Sequence, residues 1–417
     1  MYKKETLPNG VRIVTEEMPF VRSVSMGIWV GAGSRDEDNN NNGIAHFIEH
    51  MIFKGTEKRT AKNIAETLDA VGGQLNAFTS KEYTCYYAKV LDEHLDIAID
   101  LLSDMFFNSL FKNEDIEKEK NVIIEEIKMY EDAPDELVHD IFASTMWSGH
   151  ALGRPVIGTE EIIKRMGRKD ITDFRNMFYS PDSVVIAVAG NINHQEVVDK
   201  LSPLFAKIQS SSKVRKYNIP LSHSNIHFKK KDTEQVHLCI GTPGLSMEHE
   251  NIYVLHILNS VLGGGISSRL FQEIREERGL AYSVYTYHSS YRDAGLFSIY
   301  AGLSQHNLEQ VISLIGKEMK DVRTNGITQE ELVRAKEQLK GSMFLGLENV
   351  SNRMSRIGKS ELCLNRVVTV DEAVEKINSV SLDSVKELAG QFFKNENIVV
   401  SSIGPEMDEK QLNVNIN

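Results

Sequence analysis

Inside the apolar segment GIAHFIEHMIFKGT, Gly43 to Thr56, stand two histidines and a glutamate, His46, Glu49 and His50. After its first residue the GIAHFIEHMIF portion lacks Gly and Pro, and its apolar positions suit a buried helix. At about 100° per residue, positions 46 and 50 differ by one turn plus roughly 40°, so both imidazoles leave the same face. Glu49 lies about 60° from His46 in the other direction, placed to address a water beside a metal rather than the metal itself. Neutral imidazoles suit zinc, a catalytic zinc keeps one position for water, and a nearby carboxylate can take the water's proton. With 13 His and 59 acidic residues in 417, chance supplies such a triplet about 0.06 times per chain.

A two-histidine site needs a further ligand, most simply a carboxylate from a second helix. KNEDIEKEKNVIIEEIKMYED, Lys112 to Asp132, has a core stripe at Ile116, Ile123, Ile124 and Ile127, and its Glu119 and Glu126 are seven residues apart on one face. Glu125 falls about 100° away and, with Glu114, Asp115 and Glu117, reads as solvated surface. Spacing alone leaves Glu126 open between metal ligand and surface acid. Gly263, Gly264 and Gly265 lack the lysine of a phosphate-binding loop and read as a flexible loop. By charge pattern alone, Arg275 in QEIREER is a salt-bridged helix surface.

The elements that must position these groups come from a chain long enough for two or more domains. Its hydrophobic and charged fractions, 41% and 25%, are those of an ordinary globular protein. IQSSSKVRKYNIPLSHSN breaks the apolar periodicity at 208–225, which predicts a domain over 1–207, a linker, and a second domain over 226–417. The halves repeat an order: a strand-like segment (NAFTSKEYTCYYAKV; GLFSIYAGL) precedes an amphipathic helix (HLDIAIDLLSDMF; NLEQVISLIGKEM) and a second helix. A duplicated α+β unit follows, each a sheet packed with helices. No His-x-x-Glu-His occurs in the second half.

The net charge of -12 argues against nucleic-acid binding and would favour cationic ligands in an enclosed cleft. No apolar run approaches 18 residues and no signal-like leader is present, so a cytoplasmic protein without membrane contact is expected. Cys85, Cys239 and Cys363 form no CxxC pair and read as reduced packing residues.

Together GSRDE, GIAHFIEHMIFKGT, NAFTSKEYT, EKEKNVIIEEI and HALGRPVIGTEE resemble the pitrilysin-type zinc endopeptidases. His-x-x-Glu-His is the inverzincin signature, and the two-domain chain is similar to the branch of the mitochondrial processing peptidase and its bacterial relatives. The resemblance implies one zinc ion per chain held by His46, His50 and Glu126, with Glu49 as general base and Glu119 orienting a ligand. It implies that Asn76, Ala77, Phe78 and Thr79 pair with an extended substrate, and that Gly263, Gly264 and Gly265 face that substrate. Arg275 and Tyr282 are implied to stabilise the tetrahedral intermediate. It further implies a mostly antiparallel sheet in each of two homologous domains, forming a clam-like half of a homodimeric chamber. There Arg275 and Tyr282 act on the partner's site, and the substrate is a peptide or unfolded polypeptide. The alternatives are a catalytically silent scaffold or assembly subunit, and a protein in which zinc only stabilises the fold.

Overall fold

The computed structural model describes residues 2–209 and 217–416; of the 208–225 segment expected to be a linker, residues 210–216 lie outside the described residues. The chain forms two compact units, one comprising Met1–Lys128, Arg154–Lys216 and Leu345–Val368, the other Met129–Gly153, Tyr217–Phe344 and Thr369–Asn417.

The sheet of the first unit holds β1 (Tyr2–Thr6), β2 (Arg12–Glu17), β3 (Ser23–Val30), β4 (Gln74–Thr79), β5 (Thr84–Leu91) and β6 (Val184–Gly190). Their order is β1-β2-β6-β3-β5-β4. The β2–β6 pair is parallel and the other pairs antiparallel. The run VVIAVAG of β6 is buried throughout, as an interior strand covered on both faces should be. Side chains alternate between the two faces. Val24, Met26, Ile28, Tyr86, Ile186 and Val188 join a core built with helices α1 (Ile44–Ile52), α2 (Ala61–Asp69), α3 (Leu95–Asn108) and α4 (Asn113–Glu131). Trp29, Cys85, Val185, Ala187 and Ala189 point the other way.

The second unit repeats the plan with β7 (Asn225–Lys230), β8 (Val236–Pro243), β9 (Ala281–Ser290), β10 (Gly295–Leu303) and β11 (Val399–Gly404), in the order β7-β11-β8-β10-β9. In both units the last strand in sequence lies parallel to its outer neighbour, β6 beside β2 and β11 beside β7, and a hairpin ends the sheet; β1, outermost in the first sheet, has no counterpart in the second. The duplication expected from the repeated element order is thus present in the strand topology.

The covering helices are exchanged between the halves of the chain. The face of the first sheet that carries Trp29 is covered by helix Val350–Leu364, through Met354, Ile357 and Leu362. Two ion clusters tie that helix to the strands: Arg353 and Arg356 with Glu16, and Glu361 with Lys4 and Arg12. In the second unit, α5 (Pro134–Met146) covers the sheet through Val138, Phe142 and Met146, packed with Cys239, Leu296, Tyr300 and Val399. The strands of the two sheets thus fall on either side of 208–225, whereas α5 and helix Val350–Leu364 each belong to the unit whose strands come from the other half of the chain. An amphipathic helix advertises an apolar stripe without naming the sheet that will receive it.

Trp29 makes the closest fit in this exchange. Its indole N–H points at Met354 Sδ, 3.3 Å away, and a Cβ on Gly358 would come within 2.3 Å of the indole nitrogen. Gly358→Ala should therefore lower the unfolding free energy by about 1–3 kcal/mol through overpacking, against a gain of up to ~1 kcal/mol in helix propensity. Urea unfolding measures it; unchanged or increased stability would contradict this packing.

Candidate metal centre

Helix α1 presents its chemistry because its other residues are committed to the core. Ile44, Ala45, Phe47, Ile48, Met51 and Ile52 are buried, which leaves His46, Glu49 and His50 half-buried along the remaining face. Its N-terminus is held by Glu37 of the GSRDE motif. The Glu37 carboxylate accepts hydrogen bonds from the backbone N–H groups of Gly43 (2.8 Å) and Ala45 (2.9 Å) and from the Asn42 amide (2.8 Å). These satisfy donors that a helix start leaves unpaired, and the negative charge complements the helix dipole. Gly43 has φ +95, and a Cβ there would come within 2.7 Å of the Ile157 carbonyl oxygen, so the entry to α1 requires glycine on both counts.

From α4, Glu126 reaches both imidazoles. Its Oε1 is 3.8 Å from His46 Nε2 and its Oε2 is 3.4 Å from His50 Nε2. The three ligand atoms of His46, His50 and Glu126 lie within 4.8 Å of one another, the one such group of His, Cys, Asp and Glu among the described residues. An ion bound tetrahedrally at about 2.0–2.1 Å places its ligands roughly 3.4 Å apart, so the set fits zinc with modest contraction. Glu119, also on α4 and buried, accepts from His50 Nδ1–H at 2.9 Å. That bond keeps a proton on Nδ1, so that Nε2, on the side of Glu126, is the nitrogen that can give up its proton to a metal.

The electrostatics call for a cation at the same point. Burial pushes His50 down, but hydrogen bonds to Glu119 and Glu126 outweigh it and raise its pKa to about 9. Burial and the neighbouring His50 lower His46 to about 4. Without a metal, one proton on His50 thus answers the carboxylates, while His46 stays neutral and its Nδ1 finds no partner. Burial raises the carboxyl of Glu49, opposed by a hydrogen bond from the Thr79 hydroxyl. A carboxylate held in that direction is suited to accept and return a proton.

The remaining predicted residues fall in several places. Glu125 is exposed and paired with Lys128 at 2.8 Å, as a surface acid should be. Asn76, Ala77, Phe78 and Thr79 end β4, whose partner among the described residues is β5 alone. Thr79 faces Glu49, whereas Phe78 packs edge-on against Trp29 at 5.6 Å on the opposite face of the sheet. Gly263 closes the helix Ile252–Gly263, where a Cβ would meet the Thr286 backbone at 2.4 Å, so its packing alone demands glycine. Gly264 follows it, its carbonyl accepting from Gln338, and Gly265 lies beside the same amide. In the second unit Arg275 and Tyr282 come together. The Arg275 guanidinium lies 4.9 Å from the Phe271 ring centre and 5.5 Å from that of Tyr282, and Tyr282 is 76% exposed. Arg275 rides on a one-turn π-helical segment, Phe271–Glu276, a distortion frequent at functional sites.

Two contributors escape a reading by spacing. Glu37 lies within a quoted motif without an evident role, its only signal being an acid seven residues before the helix. Lys54 stands one turn beyond His50, and its ammonium is 2.6 Å from Glu119 Oε2.

Burial raises Glu37 to about 7, its three hydrogen bonds offsetting only part of the effect. Between the ordinary carboxylate range and pH 7 the folded chain then holds a proton that the unfolded chain has released. Glu37 therefore costs stability as pH rises through this window, by up to about 1.4 kcal/mol per pH unit. Urea unfolding of the metal-free protein should show the wild type losing stability relative to Glu37→Gln between about pH 5 and 7. A wild-type stability that stays constant or rises with pH relative to Glu37→Gln would contradict the direction of this shift.

Two family models match the chain: insulinase (peptidase family M16) over residues 12–160, and the peptidase M16 inactive domain over residues 165–339. An uncharacterized zinc protease of Bacillus subtilis (strain 168), YmxG, is 49% identical over 405 residues, covering 97% of this chain and 98% of that one. A second, from Streptomyces coelicolor, is 44% identical over 98% of this chain and 90% of its own. Among solved structures, a peptidase M16 inactive domain from Pseudomonas fluorescens superposes with a TM-score of 0.90 at 19% identity, covering 99% of this chain and all of that one. A protease from Helicobacter pylori superposes at 0.89 with 22% identity, covering 97% and 99% of the two chains; these two likenesses establish the fold. Carrying the His-x-x-Glu-His triplet in its first unit and a duplicated sheet in its second, the chain belongs to peptidase family M16.

Proposed function

We propose that the chain is a zinc-dependent endopeptidase acting on extended peptides or unstructured polypeptide segments. The observation that carries the reading is the convergence of His46, His50 and Glu126 on one point, with Glu49 on the same helix face. A zinc ion bound by these three would supply Lewis acidity toward the scissile carbonyl and lower the pKa of water beside it. Glu49 takes the proton of the attacking water as its oxygen adds to the carbonyl carbon, and passes that proton to the amine as the C–N bond breaks. Thr79 holds the Glu49 carboxylate in place. Glu119 keeps His50 in the tautomer that offers Nε2.

The outer edge of β4, without a partner strand among the described residues, supports a substrate held as an added strand, with Asn76 to Thr79 leading it toward Glu49. In this reading Gly263, Gly264 and Gly265 border the substrate, and Tyr282, steadied by Arg275, donates to the oxyanion. The working form is a homodimer enclosing the substrate, in which Arg275 and Tyr282 serve the partner's site. A cytoplasmic location belongs to the reading: no helix among the described residues is long and apolar enough to cross a membrane, and Cys85 and Cys239 are buried thiols.

Glu49→Gln should lower cleavage of an unstructured peptide by at least about 10²-fold while zinc content, read by elemental analysis, is kept. Chelation should abolish wild-type cleavage and zinc restore it. Activity that survives either treatment removes the hydrolytic reading. Mixing Glu49→Gln chains with Tyr282→Phe chains should recover activity over either alone; no recovery would show that the tyrosine does not act across a dimer.

A further inference from the structure

The strongest feature that the zinc reading leaves unused is Lys54. It lies two residues past the end of α1, its backbone N–H still donating to the Met51 carbonyl at 3.1 Å. One turn beyond His50, its side chain emerges on the same side as that imidazole. The carboxylate of Glu119, side chain 5% exposed, is divided between them: Oε1 accepts from His50 Nδ1–H at 2.9 Å and Oε2 receives the Lys54 ammonium at 2.6 Å. Each oxygen of this nearly sequestered acid thus has its own partner, and the two partners approach from one helix.

We propose that Lys54 is a positioning residue of the metal centre, acting through Glu119 to hold His50 in the orientation and tautomer that bind zinc. Two physical requirements support it. The first is geometric: a glutamate on α4 with a single hydrogen bond could rotate about its last side-chain torsion, whereas a second anchor at Oε2 aims Oε1 at the imidazole. Partners of this outer kind typically govern metal affinity by about 10–100-fold. The second is charge. Glu49, Glu119 and Glu126 bring three negative charges, a zinc ion returns two positive ones, and the ammonium supplies the third. Among the described residues Glu119 pairs with His50 and Lys54 alone, and Glu126 with His46 and His50. A neutral side chain at 54 would leave the loaded centre with an uncompensated charge in a partly dehydrated place.

The inference rests on the zinc reading and is tested on the full chain by competition titration of metal-free protein with a chromophoric zinc chelator, alongside the melting temperature of the metal-free protein. Lys54→Met should weaken zinc binding about 10–100-fold with little change in that melting temperature, and Lys54→Arg should restore affinity to within about threefold, because it keeps the charge. In a Glu119→Gln background Lys54→Met should have no further effect, and Lys54→Ala enters the same cycle if the methionine variant does not fold. Wild-type affinity in Lys54→Met, equal losses in the Met and Arg variants, or an undiminished loss in the Glu119→Gln background would each overturn the proposal. If the wild type itself binds no zinc, the zinc reading fails, and this outcome is distinct from the others.

Discussion

The site depends on one convergence: a carboxylate from α4 brought to within 3.4 and 3.8 Å of two imidazoles spaced one turn apart on α1. Three electron-pair donors directed at one point repel each other unless a cation stands between them, and their desolvation deepens the cost. The protein accepts that cost locally. His50 rises to about 9 and His46 falls to about 4, so a single proton occupies the position that a dication would satisfy better. Titratable groups driven apart in this way by burial and by one another mark a candidate functional site.

Everything around the convergence serves to hold α1 and α4 in place. Apolar residues on α1 fix its rotation against the sheet, Glu37 and Gly43 fix where it begins, and Glu119 ties its second histidine to α4. The sheet contributes its edge strand, from which Thr79 meets Glu49. Its interior strand β6 and the helix Val350–Leu364 keep that edge from being a two-sided loose ribbon. The site therefore stands on rigid elements, where sub-ångström placement is attainable.

The chemistry was legible in the sequence where it is local. His46, Glu49 and His50 declare themselves because a helix maps spacing onto a face, and the repeated order of strand, helix and helix declared the duplication. Glu126 was not decidable by spacing: strands and helices intervene between the end of α1 at Ile52 and the start of α4 at Asn113, and their packing decides where α4 lies. Only the resemblance to known zinc endopeptidases selected it. Lys54 and Glu37 stayed silent because each acts through a partner distant in sequence or through backbone donors. The exchange of α5 and Val350–Leu364 was illegible for a related reason, since both sheets offer equivalent apolar faces and the amphipathic pattern fits either. At Gly263 the close approach to the Thr286 backbone, which by itself requires glycine, is a contact between segments distant in sequence and is equally silent in the sequence.

X-ray absorption at the zinc edge of the reconstituted protein, compared with its Glu126→Gln variant, tests the central claim most directly. The account predicts one zinc per chain with a first shell of nitrogen and oxygen at about 2.0–2.2 Å, two imidazoles in the outer scattering and no sulfur, and a shell that loses an oxygen or empties in the variant. A sulfur-containing shell, or a zinc environment unchanged by Glu126→Gln, would contradict it.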